Sequence, residues 1–252
     1  MKEPAKKPQL IVALDVNTLE EVRSLVVQLD DYVDCFKVGS QLFTSCGPAA
    51  VRFIEARGKR VFLDLKFHDI PHTVARAVDA ACRLHVAIER SMNFYEQQKP
   101  RHKGLFMYTL HTSGGIEMLK AAVEAGAKAA LEIDVPKPLA IGVTVLTSEQ
   151  KADNILPQVL KKAEDAKNAG CDGVVASCHE APFIRREFGP EFIIVTPGIR
   201  PAGEDAQDQK RTATPRDAVA SGSDFLVIGR PIIKAPDPRL ATKQILQDIY
   251  SL

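Results

Sequence analysis

The chain has 252 residues, of which 45% are hydrophobic, and its formal net charge is +1. This length allows one large core, and the near-neutral charge gives no reason to expect nucleic acid or an anionic membrane as a partner. No apolar run approaches the ~20 residues of a membrane span, and the basic start has no apolar signal core. The five cysteines form no C-x-x-C pair, so we expect buried thiols in a reducing, cytoplasmic compartment.

Short β-branched runs alternate with amphipathic patterns along the chain. Strands are predicted at 10–14, 35–38, 60–65, 105–110, 139–145, 173–176, 192–196 and 225–228. Helices are predicted at 19–29, 48–56, 73–84, 115–125, 155–169, 181–188, 215–221 and 238–249, with Gly126 interpreted as the end of the fourth. Eight strands, each followed by a helix, predict an α/β fold, a single (β/α)8 TIM barrel. A doubly wound open sheet is the alternative, but no G-x-G-x-x-G follows the first strand.

Two polar segments interrupt this alternation. Residues 87–104 form an insertion, rich in charge and glutamine, before the fourth strand. A connection at that end of a strand lies at the bottom of a barrel, so we assign it no chemistry. Residues 204–211 follow the seventh strand at the top face, where barrel enzymes keep mobile loops. Apart from the insertion, residues 1–252 are predicted to form one catalytic barrel domain.

The most informative stretch is D-L-K-F-H-D-I at residues 64–70, which ends the third strand. Side chains alternate along a strand, so Asp64 and Lys66 share the face of Phe62 while the intervening leucines face the other side. A carboxylate and an ammonium on a buried face are costly to desolvate unless they are paired. Asp69 begins the next segment and is close enough in sequence to join them. A structural ion-pair network is the alternative interpretation.

Polar side chains also follow several other predicted strands. Together with the third strand they supply Asp15, Lys37, Asp64, Lys66, Thr147, Arg200 and Arg230. The top face carries the active site in essentially every characterised parallel barrel. Any one of these groups could be a solvated loop residue, but their repetition at one end of the barrel indicates a site.

The ends of the seventh and eighth strands suggest a phosphate ligand. Barrels commonly bind phosphate there through loop backbone N–H groups and the start of a short helix. Gly229 would let the chain approach a phosphate closely, Arg230 can bind it bidentately, and Gln209 could close over it as a neutral donor. The alternative for I-G-R-P at 228–231 is a tight turn into the last helix.

Taken together, these segments resemble the orotidine 5′-phosphate decarboxylase family of the common bacterial type. The matching segments span nearly the whole chain in the family's order: A-L-D-V (13–16), F-K-V-G (36–39), D-L-K-F-H-D-I-P-H-T (64–73), H-T-S-G-G (111–115), V-T-V-L-T-S (143–148), P-G-I-R (197–200), D-Q (208–209) and I-G-R-P (228–231). D-x-K-x-x-D alone is shared with phosphosugar relatives, whereas the whole set is specific. The resemblance implies decarboxylation of orotidine 5′-monophosphate (OMP) to UMP in de novo pyrimidine biosynthesis, without a cofactor.

The resemblance also implies roles for individual residues. Lys66 would stabilise the carbanion that forms at C6 and then protonate it, and Asp64 would oppose the substrate carboxylate. Lys66 held between Asp64 and Asp69 should stay protonated, since opposite charges favour its charged form. Asp69, Ile70 and Thr73 would reach across a homodimer interface into the partner's site. The other implied contacts are Asp15 and Lys37 with the ribose and the Lys–Asp array, Thr147 with the pyrimidine, and Arg200, Gln209, Gly229 and Arg230 with the phosphate.

Two other functions stay open on the sequence. A phosphosugar decarboxylase or aldolase-like relative would use the same array with Mg²⁺ to stabilise an enediolate. A non-catalytic barrel would bind the nucleotide without turnover. His68 and His72 flank the core motif, but neither has a partner at ligand spacing that leaves Asp64 free, so we predict no metal site.

Overall fold

The computed structural model describes residues 7–84, 104–145, 155–201 and 212–251. Within these ranges eight parallel strands pair in chain order, and the first pairs with the last, so the sheet is a closed barrel. The prediction of a (β/α)8 barrel is confirmed. The strands are β1 (Gln9–Ala13), β2 (Cys35–Gly39), β3 (Arg60–Phe67), β4 (Met107–His111), β5 (Leu139–Val143), β6 (Gly173–Val175), β7 (Ile193–Thr196) and β8 (Phe225–Ile228).

The helices pack outside the barrel, as their amphipathic patterns predict. They are α1 (Leu19–Leu29), α2 (Ser40–Cys46), α3 (Pro48–Ala56), α4 (Pro71–Cys82), α5 (Ile116–Glu132), α6 (Leu156–Asn168), α7 (Ala181–Phe188), α8 (Pro215–Ala220), α9 (Arg230–Ile233) and α10 (Pro238–Tyr250), with a 3₁₀ turn at Thr112–Gly114. The short helices α2 and α9 were not predicted. Each follows its strand directly, so neither has a full amphipathic repeat of its own.

The predicted end of the fourth helix was wrong. Residue 125 was the expected end, whereas α5 continues to Glu132. Gly126 does not cap the helix; a Cβ there would lie 2.8 Å from the Tyr108 hydroxyl oxygen. That hydroxyl donates to the carbonyl oxygen of Ala122 at 3.2 Å. The glycine is therefore required for close packing of α5 against β4.

Local sequence fixes several helix starts. Thr18 caps α1 with a reciprocal capping box, in which its hydroxyl accepts from the Glu21 N–H and the Glu21 carboxylate accepts from the Thr18 N–H. Thr214 and Asp217 form the same arrangement at α8, where Pro215 occupies the first turn. These caps accept hydrogen bonds from N–H groups of the first helical turn, which have no partner within the helix.

Two apolar layers support the barrel. The inner layer fills the lumen with residues such as Ile11, Phe62, Met107 and Val195, while the outer layer packs strands against helices. All five cysteines are free thiols, as predicted, and four of them are buried, whereas Cys46 is partly exposed. Burial raises the pKa of the Cys35 thiol to about 12, which suits a packing role.

Parts of two predictions lie beyond the described ranges. The insertion predicted at 87–104 is outside them except for Gly104, and the polar stretch at 204–211 is outside them entirely. The assignment of residues 1–252 to one domain therefore stays a prediction. In the described part of the chain, no helix combines the length and apolarity needed to cross a bilayer.

Glu55 in α3 is a buried carboxyl group outside the barrel lumen. It is only 6% exposed, and its Oε2 has no hydrogen-bond partner among the described residues. Burial raises the pKa of Glu55 from 4.5 to about 7. The folded protein therefore favours the neutral acid, because an unpaired charge is costly to bury.

This burial predicts a stability that falls with rising pH. Between pH 4.5 and about 7 the folded state binds more protons than the unfolded state, so the free energy of unfolding decreases across that window. We expect Glu55→Gln to remove this slope and to be more stable than wild type by about 3 kcal/mol at pH 8, at 1.36 kcal/mol per pKa unit. Urea unfolding at pH 5 to 8 measures the free energy of unfolding of each protein, with Glu20→Gln, at an exposed position, as the control for loss of a charge. Equal slopes in wild type and Glu55→Gln would contradict the prediction.

Candidate active site

A cavity of about 230 Å³ opens at the carboxyl ends of the strands. Ala13, Phe62, Val195 and Val227 form part of its apolar lining. Its polar lining contains most of the residues predicted from strand ends: Asp15, Lys37, Asp64, Lys66, Arg200, Gly229 and Arg230. The barrel thus brings into one site residues that are up to 215 positions apart, as in Asp15 and Arg230 (230 − 15).

Four charged side chains form a continuous array on one side of this cavity. Lys66 Nζ lies 2.9 Å from Asp64 Oδ1 and 3.0 Å from Asp64 Oδ2. Lys37 Nζ lies 3.6 Å from Asp64 Oδ2 and 3.2 Å from Asp15 Oδ1. The order Asp15, Lys37, Asp64, Lys66 alternates in charge, so each lysine has a carboxylate beside it.

The Asp64 carboxylate is buried at the centre of the array. Its side chain is 12% exposed, as is that of Lys37, against 38% for Lys66 and 43% for Asp15. Burial by itself opposes ionisation, but the charges of Lys37 and Lys66, with hydrogen bonds from Lys66 and Thr109, outweigh it and hold the pKa of Asp64 below its usual value. Asp64 is therefore a carboxylate at neutral pH, and it orients both lysines.

The register between β3 and β4 shifts within the D-L-K-F-H-D-I segment of residues 64–70. Leu63 pairs with Tyr108 and Phe67 with Leu110, so four positions on β3 match two on β4 and the register shifts between them. Lys66 has a φ of 50°, which is unusual for a residue with a side chain. Its backbone N–H donates to the Thr109 hydroxyl at 2.8 Å. Despite the bulge, Asp64 and Lys66 both face the cavity with Phe62, which confirms the predicted orientation.

Sequence reasoning missed the polar contribution of β4. Thr109 is fully buried and donates to Asp64 Oδ1 at 3.1 Å. His111, two residues later, stacks on His68 with ring centroids 5.0 Å apart and planes 19° apart. Alternation along β4 places both on the inward face, and that spacing was the available signal.

The ends of β7 and β8 add two cationic residues to the cavity, Arg200 and Arg230. Arg200 is buried and donates to the carbonyl oxygen of Ile199 at 2.8 Å, and Arg230 begins the four-residue helix α9. Both arginines also line an adjoining cavity of about 560 Å³, to which Lys234 contributes. A Cβ on Gly229 would lie 3.3 Å from the Ala13 side chain, so a glycine keeps this wall close to β1. The arrangement suits an anionic group such as a phosphate.

Five predicted site residues are not among those that line the cavity. Asp69, Ile70 and Thr73 lie on an exposed stretch outside the cavity, and Asp69 accepts from the Ile70 N–H at 2.6 Å. No ion pair joins Asp69 to Lys66 or to another described residue, so the expectation of Lys66 held between two aspartates is not met within one chain. Thr147 and Gln209 lie outside the described residues.

Among the described residues, no group of three or more histidine, cysteine, aspartate or glutamate side chains is arranged to hold a metal ion.

The fold and site define a class of protein: a parallel barrel with an alternating Lys–Asp array beside a cationic pocket. Residues 8–245 match the family model described as "Orotidine 5'-phosphate decarboxylase / HUMPS family". The chain belongs to this family, as its motifs predicted.

Full-length relatives support the same assignment. The chain is 45% identical to the orotidine 5′-phosphate decarboxylase of Moorella thermoacetica, over 96% of this chain and 92% of that protein. It is 44% identical to that of Nitrosococcus oceani, over 98% and 100%. The solved structure of the Lactobacillus acidophilus orotidine 5′-phosphate decarboxylase is 32% identical, with a TM-score of 0.75, and the match covers 97% of this chain and 99% of that one.

Gly39 is a further residue for which no role was predicted. It ends β2 with a φ of −95°, which any residue adopts, but a Cβ there would lie 2.8 Å from Lys37 Nζ. We therefore expect Gly39→Ala to fold and to displace the Lys37 ammonium, breaking its 3.2 Å pair with Asp15. A crystal structure of the variant measures the displacement, and thermal unfolding is the control for stability. Lys37 still paired with Asp15 would show that the cavity has spare room.

Proposed function

We propose that this chain decarboxylates OMP to UMP, without a cofactor, in de novo pyrimidine biosynthesis. Relatives named for this activity match nearly the whole chain at 42–45% identity. The observation that carries the proposal is Lys66 Nζ, held 2.9 Å from Asp64 inside a cavity that Arg200 and Arg230 also line. A cytoplasmic location accompanies the proposal, since the five cysteines are free thiols.

The chemistry requires a charge that the protein itself supplies. The C6–carboxylate bond breaks, the electron pair stays on C6 in an orbital that the ring cannot delocalise, and CO2 leaves. The Lys66 ammonium stabilises the developing carbanion and then gives its proton to C6, which forms UMP. The neutral amine left on Lys66 regains a proton from solvent. The alternating array keeps Lys66 in place before the negative charge develops.

Asp64 acts on the substrate in the ground state. A like charge about 4 Å from the substrate carboxylate would cost about 4 kcal/mol at an effective dielectric near 20. As CO2 departs, the negative charge moves from the carboxylate to C6, beside Lys66, so the repulsion from Asp64 is relieved and the transition state is favoured over bound OMP. Since Lys66 acts on the carbanion itself, we assign it the larger contribution.

The remaining residues bind the parts of the substrate that do not react. Arg200, Gln209, Gly229 and Arg230 hold the phosphate, and Asp15 and Lys37 hold the ribose hydroxyls. Thr147 contacts the pyrimidine. Binding energy from the phosphate and ribose then positions C6 beside Lys66, which is how remote contacts raise the rate of the chemical step.

We further propose a homodimer in which each site is completed by the partner. Residues 68–73 form a continuous exposed stretch directly after β3, and Ile70 is 66% exposed. A large apolar side chain beside an aspartate without an ion pair to the described residues suits a surface that a second copy covers. Asp69, Ile70 and Thr73 would then enter the partner's cavity, where Asp69 meets the partner's Lys66.

A spectrophotometric assay with OMP tests the activity. We expect turnover with undiminished rate in EDTA, because Lys66 and not a metal ion stabilises the carbanion. Lys66→Ala should lower kcat by about 10³-fold or more, since it removes both the cation and the proton donor. UMP binding should persist in this variant, and surface Lys120→Ala is the matched control for loss of an ammonium.

The same assay separates the alternatives. Loss of turnover on chelation would favour the Mg²⁺-dependent phosphosugar relatives. Binding of UMP without turnover of OMP by wild type would favour the non-catalytic barrel. Either result would contradict the proposed function.

Mixed dimers test the shared site. Lys66→Ala and Asp69→Ala homodimers should both be nearly inactive, because each lacks one group in every site. A purified hybrid carrying one chain of each should recover one working site, about half of wild-type activity per dimer.

A second hybrid is the matched control. Asp64 and Lys66 belong to the same array in one chain, 2.9 Å apart, so a Lys66→Ala/Asp64→Ala hybrid should recover nothing. If the Lys66→Ala/Asp69→Ala hybrid also stayed inactive, each complete site would lie within one chain.

A further inference from the structure

We infer that Thr109 is a positioning residue, whose hydroxyl fixes the backbone of Lys66 and one carboxylate oxygen of Asp64 in the arrangement that proton delivery to C6 requires. The inference rests on the proposed decarboxylase function. It adds a residue from β4 to a site whose other polar groups come from the ends of other strands.

The hydroxyl is bonded on both sides to the core motif. Thr109 Oγ1 accepts the Lys66 backbone N–H at 2.8 Å and donates to Asp64 Oδ1 at 3.1 Å. An ionised carboxylate can only accept, and a backbone N–H can only donate, so the direction of both bonds is fixed. One side chain on β4 therefore ties together the two residues on which the proposed chemistry depends.

The Lys66 backbone needs such a partner. With a φ of 50°, Lys66 is in the left-handed backbone region, which residues other than Gly, Asn, Asp and His rarely adopt. The register shift between β3 and β4 takes its N–H out of the regular strand ladder, and Thr109 Oγ1 replaces a carbonyl oxygen as its acceptor. Without the hydroxyl, a partly buried N–H would lack its partner, and the strained turn would lose the bond that stabilises it.

The hydroxyl also orients the carboxylate. Lys66 Nζ approaches both Asp64 oxygens, at 2.9 and 3.0 Å, so the ammonium alone does not decide how the carboxylate is rotated. Thr109 contacts Oδ1 alone, and Lys37 lies on the Oδ2 side at 3.6 Å. These two contacts fix the plane of the carboxylate, and that plane fixes where Lys66 Nζ sits.

A Thr109→Val substitution tests the inference, because it exchanges the hydroxyl for a methyl group of nearly equal volume. We expect the single-turnover rate with OMP to fall by about 10- to 100-fold, since small misplacements of a reacting group cost about this much. Affinity for UMP should change by less than about threefold, because the phosphate and ribose contacts are elsewhere. Thr109→Ser keeps the hydroxyl and should retain most of the wild-type rate.

The pH profile gives a readout that a merely structural role would not move. The charged groups facing Asp64 are Lys37 from β2 and Lys66 from β3, with Asp15 beyond Lys37 and His111 further along β4. Neither lysine is changed in Thr109→Val, but Asp64 loses one hydrogen-bond donor to its charged form. The acid limb of the rate profile should therefore move to higher pH in Thr109→Val and stay in place in Thr109→Ser.

Thr196→Val is the matched control. Thr196 is also a fully buried threonine on a barrel strand, and its hydroxyl bonds to the Ser223 hydroxyl at 2.6 Å, on the outer side of β7. This substitution should lower the unfolding temperature without moving the rate or the acid limb. If Thr109→Val does not yield folded protein, Thr109→Ala provides the same comparison.

Two results would overturn the inference: a Thr109→Val rate and acid limb equal to those of wild type, or the same loss in Thr109→Ser as in Thr109→Val. Failure of the proposed function is distinguishable, because wild type would then show no turnover. In that case a crystal structure of Thr109→Val still decides the positioning role. Unmoved Lys66 backbone and Nζ atoms would reject it, and a relaxed Lys66 would support it.

Discussion

The buried carboxylate of Asp64 is the constraint on which the site depends. Two ammonium groups and one hydroxyl converge on it from three neighbouring strands, and its burial makes each of these contacts necessary. Within one chain the array Asp15, Lys37, Asp64 and Lys66 has two negative and two positive charges, so it can be desolvated as a neutral unit. The substrate's own carboxylate would add a negative charge to that balance. This charge would stay on C6 when CO2 leaves, beside the Lys66 ammonium, and the balance would be restored once Lys66 protonates C6 and regains a proton from solvent.

The barrel fold stabilises the charged array and the strained backbone within it. Its lumen is apolar directly below the array, and the charged groups of the site lie at the carboxyl ends of the strands. A left-handed, non-glycine residue costs of order 1–3 kcal/mol, a substantial part of the 5–15 kcal/mol by which a domain is stable. The pairing of β2, β3 and β4 holds Lys66 in that conformation, so the fold as a whole maintains the local strain.

Much of this arrangement follows from sequence, and what does not has a definite cause. Alternation in β3 placed Asp64 and Lys66 on the cavity side, and the end of β8 placed Arg230 in the same cavity. The φ of Lys66 could not be predicted, because it results from a register shift that only the pairing of β3 with β4 reveals. Gly126 was misread for a similar reason, since its neighbour Tyr108 is distant in sequence.

The occupancy of the Asp64 oxygens argues for the cofactor-independent reaction over an enediolate held by Mg²⁺. Oδ1 accepts from Lys66 and Thr109, and Oδ2 accepts from Lys66 with Lys37 at 3.6 Å. A carboxylate offers about four lone-pair positions, so a divalent cation would have to displace these donors and lie beside two ammonium groups. An array already neutralised by its own lysines is instead suited to stabilise a carbanion directly, through the cation that later protonates it.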